Sequence, residues 1–548
     1  MSFPYPLSRT ALKPLRQARF VPYLLIALWI GVLLVSNNGQ QSLMAHDEGN
    51  FAAEARFMVD SGHWLARQWW GQPVYTHGIA LNWLIAASYS LFGQSDWTAR
   101  LPSMLSCLGA ALLTYDIGKQ VLSNHRTALV GALILSIMPL WFQYGRLATQ
   151  DMPLVGLELL GIWGLLQAEK FPKYRIYWGL LAGAMVGLGF LMKSFMILLP
   201  VVALIPYLMG QHRRHRHLFN PGLYLGLLLG LAGVGLWLGL SIATYGDLVW
   251  QQLFGKLTEL GSEPFHQDAG RLYYLWNIPA NAFPWPLFVL IGYFIGWRRR
   301  PQSDPLVRQS PYFWLIWGYP LVLLGLLALF PTRAPYYPLQ LYPAMALLAA
   351  IVITALPQPP WKVIGRLLSD CFGVLGLVLV VAAILVTVGI PGVSLPPEVN
   401  DYQGMALVLG IGFALLPYWW RTKSTDQPFR WVLGWVVPIW LTVSLAGFSG
   451  LLGNYAPDIK TALRTPELTT LLAEEPVDFV IETPIEGEIH KTWVLLTLYT
   501  PHLGTLKYQA TELTPNQYAW VSPNVNLEEA NPHQVITELR EWRLIQTR

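Results

Sequence analysis

Charge is what this sequence has least of. Only 12% of its 548 residues are Asp, Glu, Lys or Arg, while 54% are hydrophobic. A soluble domain carries about 25% charged residues, so an ordinary soluble enzyme and a solvated disordered chain are both excluded. Cysteine is nearly missing as well. Cys107 and Cys371 both fall inside apolar runs, which excludes a disulfide framework and says nothing of redox compartment. The chain has no glycine-rich phosphate loop, no dinucleotide fingerprint, no internal repeat and no low-complexity tract. Its net charge of +5 makes no nucleic-acid patch, because the Lys and Arg residues lie in short clusters between apolar runs.

What the chain has in quantity is apolar sequence. About 13 stretches of membrane-crossing length are read, near 21–36, 97–118, 126–142, 152–168, 176–192, 194–210, 221–243, 279–296, 311–330, 337–356, 371–391, 404–420 and 430–452. The expectation is an all-α polytopic membrane protein. The first stretch follows Arg9, Lys13, Arg16 and Arg19, and no small-residue cleavage site precedes His46, so it reads as an uncleaved helix with its basic flank in the cytoplasm. An odd count then places the C-terminus outside. The basic loops agree: Lys119 to Arg126, Glu169 to Arg175, His212 to His217, Arg298 to Arg300, Lys362 to Arg366 and Arg421 to Arg430 all fall inside.

On this reading residues 1–452 form the membrane domain and 453–548 a soluble external one. The segment 37–96 alternates polar and aromatic residues and suits helices lying in the interface, as a roof over a surface site. A second outer loop spans 244–278. In the tail, the runs Val477 to Thr483 and Thr492 to Tyr499 read as strands of a small mixed α/β domain.

Carboxylates beside lipid are costly, so Asp47, Glu48 and Asp151 are the first candidates for chemistry. They map to the outer face with Lys193 and the run Arg333 to Tyr337. An external site has no nucleotide pool, so an enzyme there takes activated groups from a lipid carrier. A base, cations for a leaving phosphate and an interfacial roof fit transfer from a polyprenyl-phosphate donor. Plainer roles exist for the same residues. Asp151 can cap the helix it opens, Lys193 can snorkel to the interface, and Arg333, Tyr336 and Tyr337 can anchor there.

The stretch His46-Asp47-Glu48 through Arg56 continues into Gly71-Gln72-Pro73, Asn82-Trp83, Leu91-Phe92-Gly93 and Trp97 to Ser103. Then come Arg146-Leu147-Ala148-Thr149-Gln150-Asp151-Met152, Phe190 to Lys193, Arg271-Leu272-Tyr273-Tyr274 and Tyr336 to Ala344. In order and spacing this set resembles the bacterial aminoarabinose transferase and protein-mannosyltransferase group of GT-C glycosyltransferases, over about residues 20–350.

That resemblance implies a GT-C fold with about 13 transmembrane helices and a small external α/β domain. It further implies an inverting transfer of one sugar from polyprenyl phosphate to a lipid, glycan or protein acceptor. By the same resemblance Asp47 is the general base and Asp151 a second acid that orients acceptor or base. Lys193 and Arg333 are implied to hold the donor phosphate. Glu48, Arg56, His77, His266, Arg271, Tyr336 and Tyr337 complete the expected substrate side, although Glu48 and Arg56 equally suit holding the roof helix in place. A divalent metal is compatible with two acids and a histidine such as His77 or His266, but the spacing is not that of a metal motif.

Two departures stand out. Thr76-His77-Gly78-Ile79 replaces the family's Glu-Lys-Pro-Pro, and Asn50-Phe51 its Arg-Tyr. His77 therefore stands where relatives carry a phosphate-binding lysine. Other classes predict other features. A flippase or transporter calls for repeated halves and broken, charged helices at mid-membrane. A scaffold has no need of Asp47 with Asp151, and a ligase acting on a lipid-linked oligosaccharide shares the chemistry but moves whole glycans rather than single sugars.

Overall fold

The structure is a computed structural model that describes residues 20–262, 270, 272–298, 311–330, 332–389, 396–423, 427–527 and 532–548. Its larger part is a helical body. Helix α1 (Val21–Val35) leads into a short π-helical turn at Ala45–Gly49, and α2 (Asn50–Ser61) follows. The hairpin β1 (Arg67–Trp69) and β2 (Gln72–Val74) connects α2 to α3 (Ala80–Phe92). Next come α4 (Asp96–Leu122), α5 (His125–Ser136), α6 (Pro139–Gly145), α7 (Asp151–Lys170) and α8 (Arg175–Lys193).

Among the described residues seven helices are long and apolar enough to cross a membrane, or eight if α5 and α6, bent by 70°, are one span. Four shorter apolar helices accompany them, including α1 and α3. Each stretch read from the sequence contains helix, but the stretches do not map one to one onto long spans. Those expected at 176–192 and 194–210 form a single helical run, Pro172–Gly210, broken at Ser194, whose φ is +50°. A non-glycine residue at that φ is strained. The break ends α8 on Lys193 and turns that side chain out of the helix ladder.

The lipid-facing elements identify themselves by exposure. In Pro221–Tyr245 and Lys362–Val388 only 22% of the apolar window is buried, so rows such as Leu228, Leu236 and Leu240 point outward. Surfaces that apolar are unstable in water and stable in hydrocarbon. The two helices α8 and Pro221–Tyr245 approach through glycines spaced four apart, Gly179, Gly183 and Gly187 against Gly222, Gly226 and Gly230. A Cβ at Gly183 stands 2.0 Å from the Leu223 carbonyl oxygen, and one at Gly226 stands 2.0 Å from that of Leu180. Such a stripe brings backbones together where apolar burial gives no drive between helices.

Beyond Ser449, short helices Pro457–Leu463 and Pro466–Glu474 precede a five-stranded mixed sheet of order β4-β3-β5-β7-β6. Its strands are β3 (Val477–Val480), β4 (Leu503–Lys507), β5 (Tyr518–Val521), β6 (His533–Leu539) and β7 (Trp542–Thr547). β3 runs parallel to β4 and β5, and β7 antiparallel to β5 and β6. The run Thr492 to Tyr499, expected as a strand, is instead the second half of helix Gly487–Tyr499. Every residue from Thr492 to Leu498 is buried. From Thr492 onward the helix is enclosed between the sheet and the Leu43–Arg56 segment, so it is buried on all sides there and the usual helical period is absent.

Candidate active site

The turn carrying Asp47 is fixed by its neighbour. Glu48 is fully buried, and its carboxylate accepts from Arg100 Nε at 2.7 Å and Nη2 at 2.9 Å. The same carboxylate accepts from the backbone N–H of Met44 and of Ala148, each at 2.9 Å. Arg100, also fully buried, gives its remaining N–H bonds to Asn38, Gln41, Ser42 and Gly453. One ion pair thus ties the 42–48 turn, helix α4 and the 146–151 loop together. The last of these ends in Asp151. A second clamp, Arg146 on Leu33 O, Ser36 and Gln41, fixes the same loop to the end of α1.

Asp151 opens α7 and binds Lys193 Nζ through Oδ1 at 2.6 Å, both side chains being mostly buried. The ammonium lies 4.6 Å from the centre of the Tyr336 ring and 5.5 Å from that of Tyr337. Tyr336 packs on Tyr144 at 5.2 Å between ring centres. Burial, and next the Asp151 charge, push the Tyr336 phenol well above its usual pKa, so it stays a neutral hydrogen-bond donor. Asp47 is the other half of the cluster. Burial raises its pKa above the usual 3.8, Asp151 raises it further, and Lys193 opposes them. No hydrogen bond to its carboxylate occurs among the described residues. A carboxylate left unbonded beside an ammonium held by another acid is a proton acceptor next to an anion-binding point.

The loop before α3 borders this cluster. Gly78 lies against α8 so closely that a Cβ there stands 2.1 Å from the Leu191 carbonyl oxygen, and its own carbonyl accepts from Gln150 Nε2 at 3.2 Å. Leu191 and Gln150 are neighbours of Lys193 and Asp151, so His77 is brought to the rim of the site. Its exposed imidazole meets Thr76 Oγ1 at 3.0 Å through Nδ1 and stands edge-on to Phe51. Thr76 in turn accepts from Arg67, which is paired with buried Glu54.

The other expected substrate residues divide. Tyr274 reaches the Arg333–Tyr337 segment by donating its hydroxyl to Ala334 O at 3.3 Å. Arg333 itself donates to Ala328 O at 3.4 Å. Two of the expected substrate residues are engaged by other parts of the chain. Glu48 has both oxygens committed as described. Arg56, 5% exposed, gives its guanidinium to the carbonyls of Thr497, Leu498, Thr500 and Pro501 at 2.5–3.3 Å and to Asp60. It caps the end of Gly487–Tyr499 and fastens α2 to the C-terminal part, because a buried guanidinium surrounded by helix-end carbonyls fills its donors there. His266 and Arg271 lie outside the described residues. Among the described residues no three His, Cys, Asp or Glu side chains gather to hold a metal ion.

Residues 76–238 match the dolichyl-phosphate-mannose-protein mannosyltransferase family. The chain is 27% identical over 451 residues to the undecaprenyl phosphate-alpha-4-amino-4-deoxy-L-arabinose arabinosyl transferase 2 of Pseudomonas fluorescens, covering 80% of this chain and 73% of that one. It is 27% identical over 463 residues to the corresponding transferase of Pseudomonas aeruginosa, with 81% and 79% covered. The crystal structure of ArnT from Cupriavidus metallidurans in the apo state superposes with a TM-score of 0.71 over 95% of this chain and 96% of that one, at 18% identity. The undecaprenyl-phosphate-bound form of ArnT gives 0.69. Fold and site together define a multi-pass membrane glycosyltransferase of the GT-C class. Its sequence relatives and its fold neighbours alike are of the aminoarabinose-transferase type.

Proposed function

We propose that the protein transfers a single sugar, with inversion, from an undecaprenyl-type polyprenyl phosphate to a hydroxyl or amine of a lipid, glycan or protein acceptor at the outer face of the plasma membrane. The observation that carries this is the unbonded Asp47 carboxylate beside the Asp151–Lys193 pair. Asp47 takes the acceptor's proton as the acceptor atom attacks the anomeric carbon. The bond from that carbon to the phosphate oxygen breaks, and the electron pair leaves with the polyprenyl phosphate. Lys193, with Arg333 from the neighbouring loop, holds the phosphate's charge, and Asp151 keeps the ammonium aimed. Tyr336 and Tyr337 screen it from water. His77, at the rim, takes the part of a second cation or donor toward the phosphate.

In this reading the body comprises about 13 spans with the N-terminus in the cytoplasm, residues 1–452 are the membrane domain, and 453–548 form an external domain that covers the site. The Arg56 and Asn454 ties between the 42–56 segment and the tail support that pairing. The test is mass spectrometry of lipids and glycans from cells with and without the gene, followed by transfer from undecaprenyl-phosphate sugars by the purified protein. One envelope component lighter by one sugar is the expected result. Unchanged lipids and glycans, with no transfer in vitro, would refute the proposal.

A further inference from the structure

A second cavity, of about 400 Å³, shares no residue with the Asp47–Asp151–Lys193 cluster. It opens between the C-terminal end of α3, the N-terminal end of α4 and helix Pro457–Leu463. Arg56, Lys460 and Arg464 line it with a single acid, Asp96, so three positive charges face one negative. The first two cations are fixed in place. Lys460 is paired with Asp96 and donates to the carbonyls of Gln40 and Gln41, and Arg56 is held on helix-end carbonyls and on the outward-facing Asp60. They contribute field rather than free bonds.

Of the remaining groups, Arg464 can only donate, and Gln94 and Tyr89 each have N–H or O–H to give. Arg464 and Gln94 are exposed and make no side-chain hydrogen bond among the described residues. Tyr89 is only 5% exposed, yet its phenol lines the cavity without a hydrogen-bond partner among the described residues. The ring is enclosed, and on the cavity wall its O–H is available to an acceptor. The first turn of the 27-residue α4, whose dipole favours an anion, ends at the same wall. Beside the mouth, α3 exposes Leu91 by 75% and Phe92 by 65%. A positively charged cavity with an uncommitted guanidinium, an amide N–H and a phenol O–H to give matches a phosphoryl group, which only accepts. The bare apolar pair at its edge matches acyl chains.

We propose that this cavity binds the phosphoryl headgroup of an anionic membrane lipid, separately from the donor phosphate at Lys193. The test uses the full-length protein in phosphatidylcholine nanodiscs doped with phosphatidylglycerol, with retained lipid counted by native mass spectrometry. Arg464→Glu should lower phosphatidylglycerol retention by about tenfold, and Tyr89→Phe, which keeps the ring, by about fivefold. Arg464→Lys should retain most of the binding, and Lys193→Ala should leave it untouched, which separates this site from the reaction centre. Retention unchanged in both Arg464→Glu and Tyr89→Phe would overturn the proposal. Displacement of the lipid by millimolar inorganic phosphate would overturn the lipid as ligand and leave a site for free phosphate.

Discussion

As the proposed base, Asp47 is a carboxylate whose ionised form burial disfavours, and that conflict sets two measurable outcomes. Asp47→Asn keeps the shape but takes no proton, so turnover should fall by about 100- to 10,000-fold. The sign of the stability effect follows from the raised pKa. A group whose folded pKa lies above its unfolded value lends stability below the unfolded pKa, and loses it as pH rises through the folded one. At neutral pH the ionised Asp47 is therefore a net cost, and the Asn variant should melt at a higher temperature than the wild type. A variant that is inactive and less stable would mean that Asp47 is structural. The wild-type rate should rise with pH through a midpoint above that of a free aspartate, and this limb should vanish in the variant. Asp47 and Asp151 were legible in the sequence because an acid beside an apolar run has few bland explanations. The partners of Glu48 were not. Arg100 is one of four charges in α4, and nothing in the sequence says that its counter-ion lies 52 residues upstream. Sequence order alone likewise left open whether Arg56 faces substrate or the helix end it caps.

At the scale of elements, Lys193 stands where it does because α8 is held by glycines on one side and by the Gly78 loop on another. Gly183→Leu has no route past the Leu223 carbonyl, and Gly78→Val none past that of Leu191. Both should abolish monodisperse, folded protein in fluorescence-detected size exclusion. Gly235→Ala, on the facing helix with nothing within 4 Å, should be recovered at wild-type level or slightly above, since Ala favours a helix over Gly. Equal loss in all three would mean that these glycines act through the unfolded or inserting chain and not through packing. Helices were legible here because long apolar runs admit little else. Their breaks were less so. The stop at Ser194 carries no Gly or Pro, and the run Thr492 to Tyr499 has the β-branched and aromatic make-up of a strand while being wrapped on every side as a helix. Period is uninformative where all faces are buried.

For the whole molecule, orientation decides which donors are reachable, and the fold constrains it through contacts that join distant parts of the chain. Ser42 binds Asn454 Oδ1 through both its backbone N–H, at 3.0 Å, and its hydroxyl, at 2.9 Å. Tyr499 OH accepts from Leu43 N at 2.9 Å. The segment leading to Asp47 and the start of the C-terminal part must therefore lie on one side of the membrane, whichever side that is. The basic run at His212 to His217 falls in a loop that the positive-inside rule assigns to the cytoplasm. In a chain whose native Cys107 and Cys371 are replaced by Ala, single cysteines at Asn50 and Asn454 should react with an impermeant maleimide added to intact cells. One at Arg213, exposed in that basic run, should react only after the membrane is opened. Labelling of Asn50 and Asn454 on opposite sides would contradict the fold itself. Labelling of Arg213 alone from outside would leave the fold intact but move Asp47, Asp151 and Lys193 to the cytoplasm. Nucleotide sugars would then be at hand, and the site would no longer require a lipid-linked donor.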